Sequence, residues 1–416
     1  METATLLTVV LVIALALFFD FTNGFHDTAN AMATPIATGA LKPKTAVLLA
    51  AVLNLVGAFL STEVAKTISG GIINEDQISS SVFPAIILAG LIGAITWNML
   101  TWLLGLPSSS SHALFGGLIG ATIVGVSATA INFGVVMSKV ILPAIIAPLT
   151  AGIIAFTATK LAYALTRRYD SKPDGRDGFR VGQIFTSSLV ALAHGTNDAQ
   201  KTMGIITLLL ITVGLQDHPE PELWVVFACA FTIALGTYMG GWRIIRTLGK
   251  GLTEVKPAQG FAAEASTAST ILASSALGFA LSTTQVASGS VIGSGLGRRG
   301  STVRWRTVGR IFIGWVLTLP AAGAVGALAA FVVVALPTWG IVIDFVLAVA
   351  IVLFLFWRSR RNEVNASNAM SEVADSGAAV KVKRNPPPTR RQRAIAREEA
   401  RAAAKSAKAG KNGDRR

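Results

Sequence analysis

The sequence predicts an all-α polytopic membrane protein made of two inverted-topology repeats, with broken helices or re-entrant hairpins meeting near the midplane. Three observations predict it. Of 416 residues, 52% are hydrophobic and only 14% charged, in long apolar runs parted by short polar loops, the pattern of many spanning helices rather than one soluble core. The stretch "NGFHDTANAMAT" (23–34) sets Asp27 directly behind the apolar run "LLTVVLVIALALFF". The stretch "HGTNDAQKTMGI" (194–205) then repeats Gly-x-x-Asp-x-x-x-x-Met, so the buried carboxylate has been duplicated.

Taken in order, the expected spans are 4–38, 45–62, 83–104, 107–126, 134–165, 181–214, 223–248, 259–281, 282–297, 307–335 and 340–357. The first has no basic region before it and no small-residue cleavage site after it, so residues 4–19 read as a retained helix rather than a signal peptide. Segments 107–126 and 282–297 are short or Gly-rich and are the candidates for re-entrant hairpins. Lys and Arg gather at 42–44, 167–180, 243–256, 298–310 and after 358, whereas 74–77 and 217–222 are acidic or poor in base. The positive-inside rule therefore expects the N-terminus outside and the tail in the cytoplasm. Glu63, Lys66, Lys139, Lys160 and Arg243 fall near span ends and read as interfacial anchors, and the tryptophans mostly fit an aromatic belt.

The net charge of +14 is concentrated at one end: residues 359–416 hold 15 Lys or Arg against 6 Asp or Glu. Low in large apolar residues and containing "NPPPT", this tail is expected to be disordered and to face anionic membrane lipids rather than nucleic acid. The single cysteine, Cys229, excludes an intrachain disulfide and reads as a buried small residue. The expected organisation is a first repeat over 1–126, a connecting helix and cytoplasmic loop over 127–180, a second repeat over 181–297, C-terminal helices over 298–358 and the tail over 359–416.

Asp27 and Asp198 are 171 residues apart, and "PSSSSHALFGGLIG" (107–120) and "ALSTTQVASGSVIG" (280–293) are 173 apart. Two blocks at nearly one offset indicate an internal repeat. Each half reads as an Asp motif, two long helices and a hydroxyl cluster that leads into a Gly-rich segment. Five spans separate equivalent points, so the copies run in opposite directions, the plan of secondary transporters whose site lies where broken helices of the two halves meet.

The stretches "GFHDTANAMAT", "LPSSSSH", "HGTNDAQKTMG" and "STTQ" resemble the paired signatures of the inorganic phosphate transporter (PiT) family, and its bacterial low-affinity branch above all. The resemblance covers roughly residues 4–357. It implies symport of inorganic phosphate with protons or sodium in the cell membrane, with some relatives carrying sulfate, and no enzymatic activity or cofactor. A homodimer is a candidate assembly.

Burying a phosphate in hydrocarbon costs tens of kcal/mol by a Born estimate unless the site meets its charge and oxygens. Ser109, Ser110 and Ser111 after Pro107 suit a helix start, where free N–H groups and the positive dipole end face an anion. Ser282, Thr283 and Thr284 repeat this in the other half, and the two clusters are the expected phosphate cage. Asp27 and Asp198 would repel an anion directly and are expected to couple a cation, with Asn30, Asn197 and Glu264. Asn23, His26, His112, Gln200 and Lys201 are the expected supporting residues.

The copies differ. His26 stands opposite Asn197, Asn30 opposite Lys201, His112 opposite Gln285, and the helix after the first Asp motif has Asn54 where the second half has Glu264. Against the family pattern, His26 replaces an Asn and Asn54 replaces a Glu. Both remove a cation ligand or acid from the first half and favour protons, or a neutral metal–phosphate complex, over sodium. Lys201 can neutralise Asp198 or touch phosphate. An intramembrane serine hydrolase is the distant alternative because His112 follows Ser108 and Ser109 by one helical turn, but Gln285 replaces the base in the other copy. No resident metal is expected, since no His pair has ligand spacing on one helix.

Overall fold

A helix bundle carries these motifs. The computed structural model describes residues 3–69, 71–74, 78–79, 82–166, 177–337, 339–361, 363–367 and 369. Residues 167–176 and those from 370 onward, where the expected cytoplasmic loop and most of the expected basic tail fall, lie outside the described residues.

Helix α1 (Thr3–Ala37) runs unbroken through Asp20, Asn23, Asp27 and Asn30, with its one proline, Pro35, in the last turn. Proline in the first turn, where no N–H is needed, starts α2 (Pro43–Ala58) and α4 (Phe83–Leu104) on either side of short α3 (Glu63–Ser69). Gly105, at φ 63°, stops α4: its N–H returns to the Thr101 and Trp102 carbonyls in a left-handed cap that a side chain would strain. The chain then runs extended into α5 (Ser110–Gly125). Next, α6 (Phe133–Val136) passes through a π turn at Met137–Ile141 into α7 (Leu142–Thr166).

The second half comprises α8 (Asp177–Thr212), α9 (Leu223–Met239), α10 (Trp242–Arg246) with its π turn Thr247–Gly251, α11 (Pro257–Ala276) and α12 (Thr283–Gly297). Then come α13 (Trp305–Ala335) and α14 (Gly340–Arg360). Each of the expected spans contains a helix. By length and composition, five helices among the described residues are apolar enough to cross a bilayer: Leu6–Ala37, Phe83–Leu104, Phe133–Thr166, Trp305–Ala335 and Gly340–Arg360. A sixth follows if Leu223–Met239 and Trp242–Gly251, bent by 58°, form one span. Helix α8, at 36 residues, is long enough but too polar, since it buries His194, Asn197, Asp198, Gln200 and Lys201.

One packing pattern occurs twice. Helix α5 lies on α4 and α13, while α12 lies on α11 and α7. A Cβ on Gly120 would stand 2.0 Å from the Gly323 carbonyl, and one on Gly293 would stand 2.0 Å from the Gly152 carbonyl. Gly120 and Gly293 are 173 residues apart, Gly152 and Gly323 are 171 apart, and the contact recurs at the offset of the motifs. The recurrence takes in α7 and α13, each packed against the short helix of the other half. Bare backbone at these crossings lets the helices approach closely where lipid gives no hydrophobic drive.

Helix α4 is the most enclosed of the apolar spans, while α7, α13 and α14 present Leu149, Ile153, Phe331 and Leu353 outward. Such a belt suits contact with acyl chains and, with the family established below, describes an integral membrane protein.

Candidate functional site

The site forms where the middles of α1 and α8 meet the starts of α5 and α12. Both starts have the same construction. Ser109 (φ −93°, ψ 107°) accepts from the His112 N–H, and Ser282 (φ −82°, ψ 105°) accepts from the Gln285 N–H. A serine in extended conformation caps each helix, leaving the first-turn N–H groups of Ser110 and Ser111, and of Thr283 and Thr284, without carbonyls of their own helix. All of these residues are buried. His112 and Gln285, counterparts in the duplication, touch through Nδ1 and Nε2 at 3.4 Å.

The hydroxyls bind the carboxylates. Ser110 Oγ donates to Asp27 Oδ2 at 3.0 Å and Thr284 Oγ1 to Asp27 Oδ1 at 3.1 Å. Thr283 Oγ1 lies between the two acids, 3.3 Å from Asp27 Oδ2 and 2.9 Å from Asp198 Oδ2. Asn30 Nδ2 donates to Thr283 and Thr284 at 3.2 and 3.0 Å, leaving its Oδ1 buried and unpaired among the described residues. Asn197 Nδ2 donates to Asp198 Oδ1 at 3.3 Å and to the Leu281 carbonyl at 3.0 Å.

A lysine and two histidines close the other side. Lys201 Nζ donates to Asp198 Oδ1, to Ser111 Oγ at 2.6 Å and to the Leu281 carbonyl at 3.0 Å. His26 Nδ1 donates to Asp27 Oδ1 at 2.6 Å. His194 Nε2 stands 2.9 Å from Asp198 Oδ2 and 3.8 Å from Asp27 Oδ2. Its Nδ1 lies 3.1 Å from Asn54 Oδ1, and Asn54 Nδ2 donates to Thr237 Oγ1 at 2.7 Å. Thr237 gives its own proton to the Ile233 carbonyl at 2.8 Å. The chain of donors thus reads one way and assigns an N–H to His194 Nδ1.

Comparison with known proteins bears directly on this arrangement. The profile described as "Phosphate transporter family" matches residues 23–326. The chain belongs to the phosphate transporter family. Its relatives include proteins named "Probable low-affinity inorganic phosphate transporter" from Mycobacterium leprae, 54% identical over 86% of each chain, and from Bacillus subtilis, 42% identical over 80% of this chain and 98% of that one. A solved structure titled "The sodium-dependent phosphate transporter" shares the fold, with TM-score 0.73 at 24% identity, covering 79% of this chain and 99% of that one. All are named as transporters, which bears out the reading of a non-enzyme.

Within this family frame the expected residues separate into two groups. Asp27, Asn30, Asn197, Asp198, Lys201, His26, His112 and both hydroxyl clusters converge. Gln200 does not: its Oε1 accepts from the Val64 and Ala65 N–H groups at 2.8 and 3.2 Å, capping α3. Two positions beyond Asp198, it points round the helix away from the acids. Glu264 is also apart, held by Thr34, by Thr186 at 2.8 Å and by Gln183 at 3.1 Å. Thr34 is seven residues along α1 from Asp27, roughly 10 Å. A small cavity lined by Asn30, Ala33, Thr34 and Glu264 lies between the two groups. The expected pairing of Asn54 with Glu264 also fails, because Asn54 sits on the first helix after its Asp motif and Glu264 on the third. Asn23 is buried with both amide atoms unpaired among the described residues.

Sequence reasoning missed His194, and it read Asn54 as the loss of an acid rather than as the partner of His194. The signal for His194 was present: it lies four residues before Asp198, on the same helix face. The expectation of no metal considered pairs on a single helix, whereas Asp27 from α1 joins His194 and Asp198 from α8, with ligand atoms within 4.8 Å of one another. His112 pairs with Gln285 rather than a serine hydroxyl, which leaves the hydrolase reading without its dyad.

Proposed function

We propose that this protein imports inorganic phosphate by symport with protons, phosphate resting on the two helix starts and the coupling proton lying among Asp27, Asp198 and His194. The observation that carries the reading is the place of His194 Nε2, 2.9 Å from Asp198 Oδ2 and 3.8 Å from Asp27 Oδ2. With its Nδ1–H committed to Asn54, Nε2 turns its lone pair toward two carboxylates. That arrangement is repulsive unless a proton sits in the contact. Such a proton, with Lys201, balances the charge of Asp27 and Asp198.

Coupling follows from hydroxyl chemistry. Ser110, Thr283 and Thr284 spend their protons on carboxylates. When a proton neutralises a carboxylate, that demand falls, and the hydroxyls can turn to donate to a phosphate oxygen beside the first-turn N–H groups. A tetrahedral anion then meets donors from both halves at once. Sulfate fits the same donors and is the second reading. Phosphate, protonated near neutrality, also donates to an acceptor such as Asp198, which favours it.

In this reading the halves are inverted in the membrane, the N-terminus lies outside, the tail lies in the cytoplasm, and exchange of access occurs about the helix starts. One proton entering with a phosphate monoanion moves no net charge, so the drive in this reading is the proton concentration gradient; each further proton would add about 2.3 kcal/mol per 100 mV. Labelled phosphate uptake into proteoliposomes, under an imposed proton or sodium gradient, tests it. Uptake driven by the proton gradient is expected. Uptake driven by sodium alone would replace the coupling ion, and uptake indifferent to both would end the symport reading.

A further inference from the structure

Lys201 is 1% exposed, and its ammonium has three donors and three acceptors: a carboxylate (Asp198), a hydroxyl (Ser111) and a main-chain carbonyl (Leu281). The donors are filled within the protein, and none is left for substrate. An all-oxygen set with one formal charge is what a small hard cation selects. The other half offers a direct comparison, since Asn30 is the counterpart of Lys201 and Thr284 the counterpart of Ser111. Asn30 Nδ2 donates to Thr284 Oγ1 as Lys201 Nζ donates to Ser111 Oγ. The same contact is therefore made once by a neutral amide and once by a tethered cation.

We propose that the Lys201 ammonium is a built-in replacement for a dissociable cation, filling an oxygen seat beside Asp198 so that the second half needs no free sodium ion. Lys201 is thus a residue that determines coupling-ion specificity, and it touches neither substrate nor proton. The proposal deepens the symport reading and rests on it for its meaning, though not for its test. Removing the ammonium leaves Asp198 buried with His194 as its one remaining basic neighbour among the described residues, a costly state that a diffusible cation relieves. Lys201→Asn vacates the seat while keeping Asp198, Ser111 and the Leu281 carbonyl; in the first half, His26 Nδ1 at 2.6 Å already serves the Asp27 carboxylate.

Full-length wild type, Lys201→Asn and Lys201→Ser are purified in detergent, and thermal unfolding is followed in sodium chloride and in choline chloride at equal ionic strength. Wild type should be indifferent to sodium, whereas both variants should gain about 3 °C or more at about 100 mM sodium. Both variants should also bind radioactive sodium, where wild type does not. A wild type stabilised by sodium as strongly as the variants overturns the proposal. So do folded variants indifferent to sodium, or variants that aggregate equally in both salts. Neither readout involves transport, so a wild type that fails to move phosphate under either gradient would sink the symport reading and leave the sodium result standing.

Discussion

His112 and Gln285 are counterparts in the duplication, and they lie against each other, Nδ1 to Nε2 at 3.4 Å. The first turns of α5 and α12, which carry these two residues, therefore lie against one another.

Ser110→Ala and Thr283→Ala should not act independently, because both hydroxyls donate to Asp27 Oδ2. A double-mutant cycle on phosphate binding should give a coupling energy of about 0.5–3 kcal/mol. Equilibrium binding to purified protein measures it. Additivity within a few tenths would assign the clusters to packing.

Asn54→Leu removes the acceptor that holds the His194 Nδ1–H while leaving His194 in place. The imidazole can then turn its proton toward Asp198, and the need for an external proton falls. The pH profile of phosphate uptake should flatten in this variant, with phosphate affinity changed less than the profile. An unaltered profile would remove His194 from coupling.

Gly120→Ala and Gly293→Ala should each destabilise the fold by about 1–3 kcal/mol through overpacking, since the new Cβ meets a carbonyl of the opposing helix. Gly314→Ala is the control, because a Cβ there meets nothing within 4 Å. Thermal unfolding in detergent compares the three. Equal stability would mean that the crossings open without cost.

Gln200→Ala should cost about 1 kcal/mol of stability, the size of a lost N-cap, with phosphate affinity unchanged. The amide holds α3 and does not face the acids. A specific loss of affinity at full stability would return Gln200 to the site.

The sequence by itself determined the helices, the motifs and the duplication. Apolar runs of span length leave the backbone little choice in lipid other than helix, and serine after Pro107 or at 282 caps a helix wherever it lies. Facing on a single helix was legible too: the position of His194 four residues before Asp198 marks it as a partner, and the offset of two marks Gln200 as pointing elsewhere. The tertiary structure alone decided what crosses between helices. That Thr283 stands between Asp27 and Asp198, that Glu264 joins Thr34 rather than the acids, and that Lys201 reaches Ser111 depend on how α1, α5, α8, α11 and α12 are rotated and crossed. Those rotations come from close-packed glycine crossings spread over the bundle, such as Gly120 on Gly323 and Gly293 on Gly152. No local periodicity encodes them, because each rests on a surface contributed by the other half of the chain.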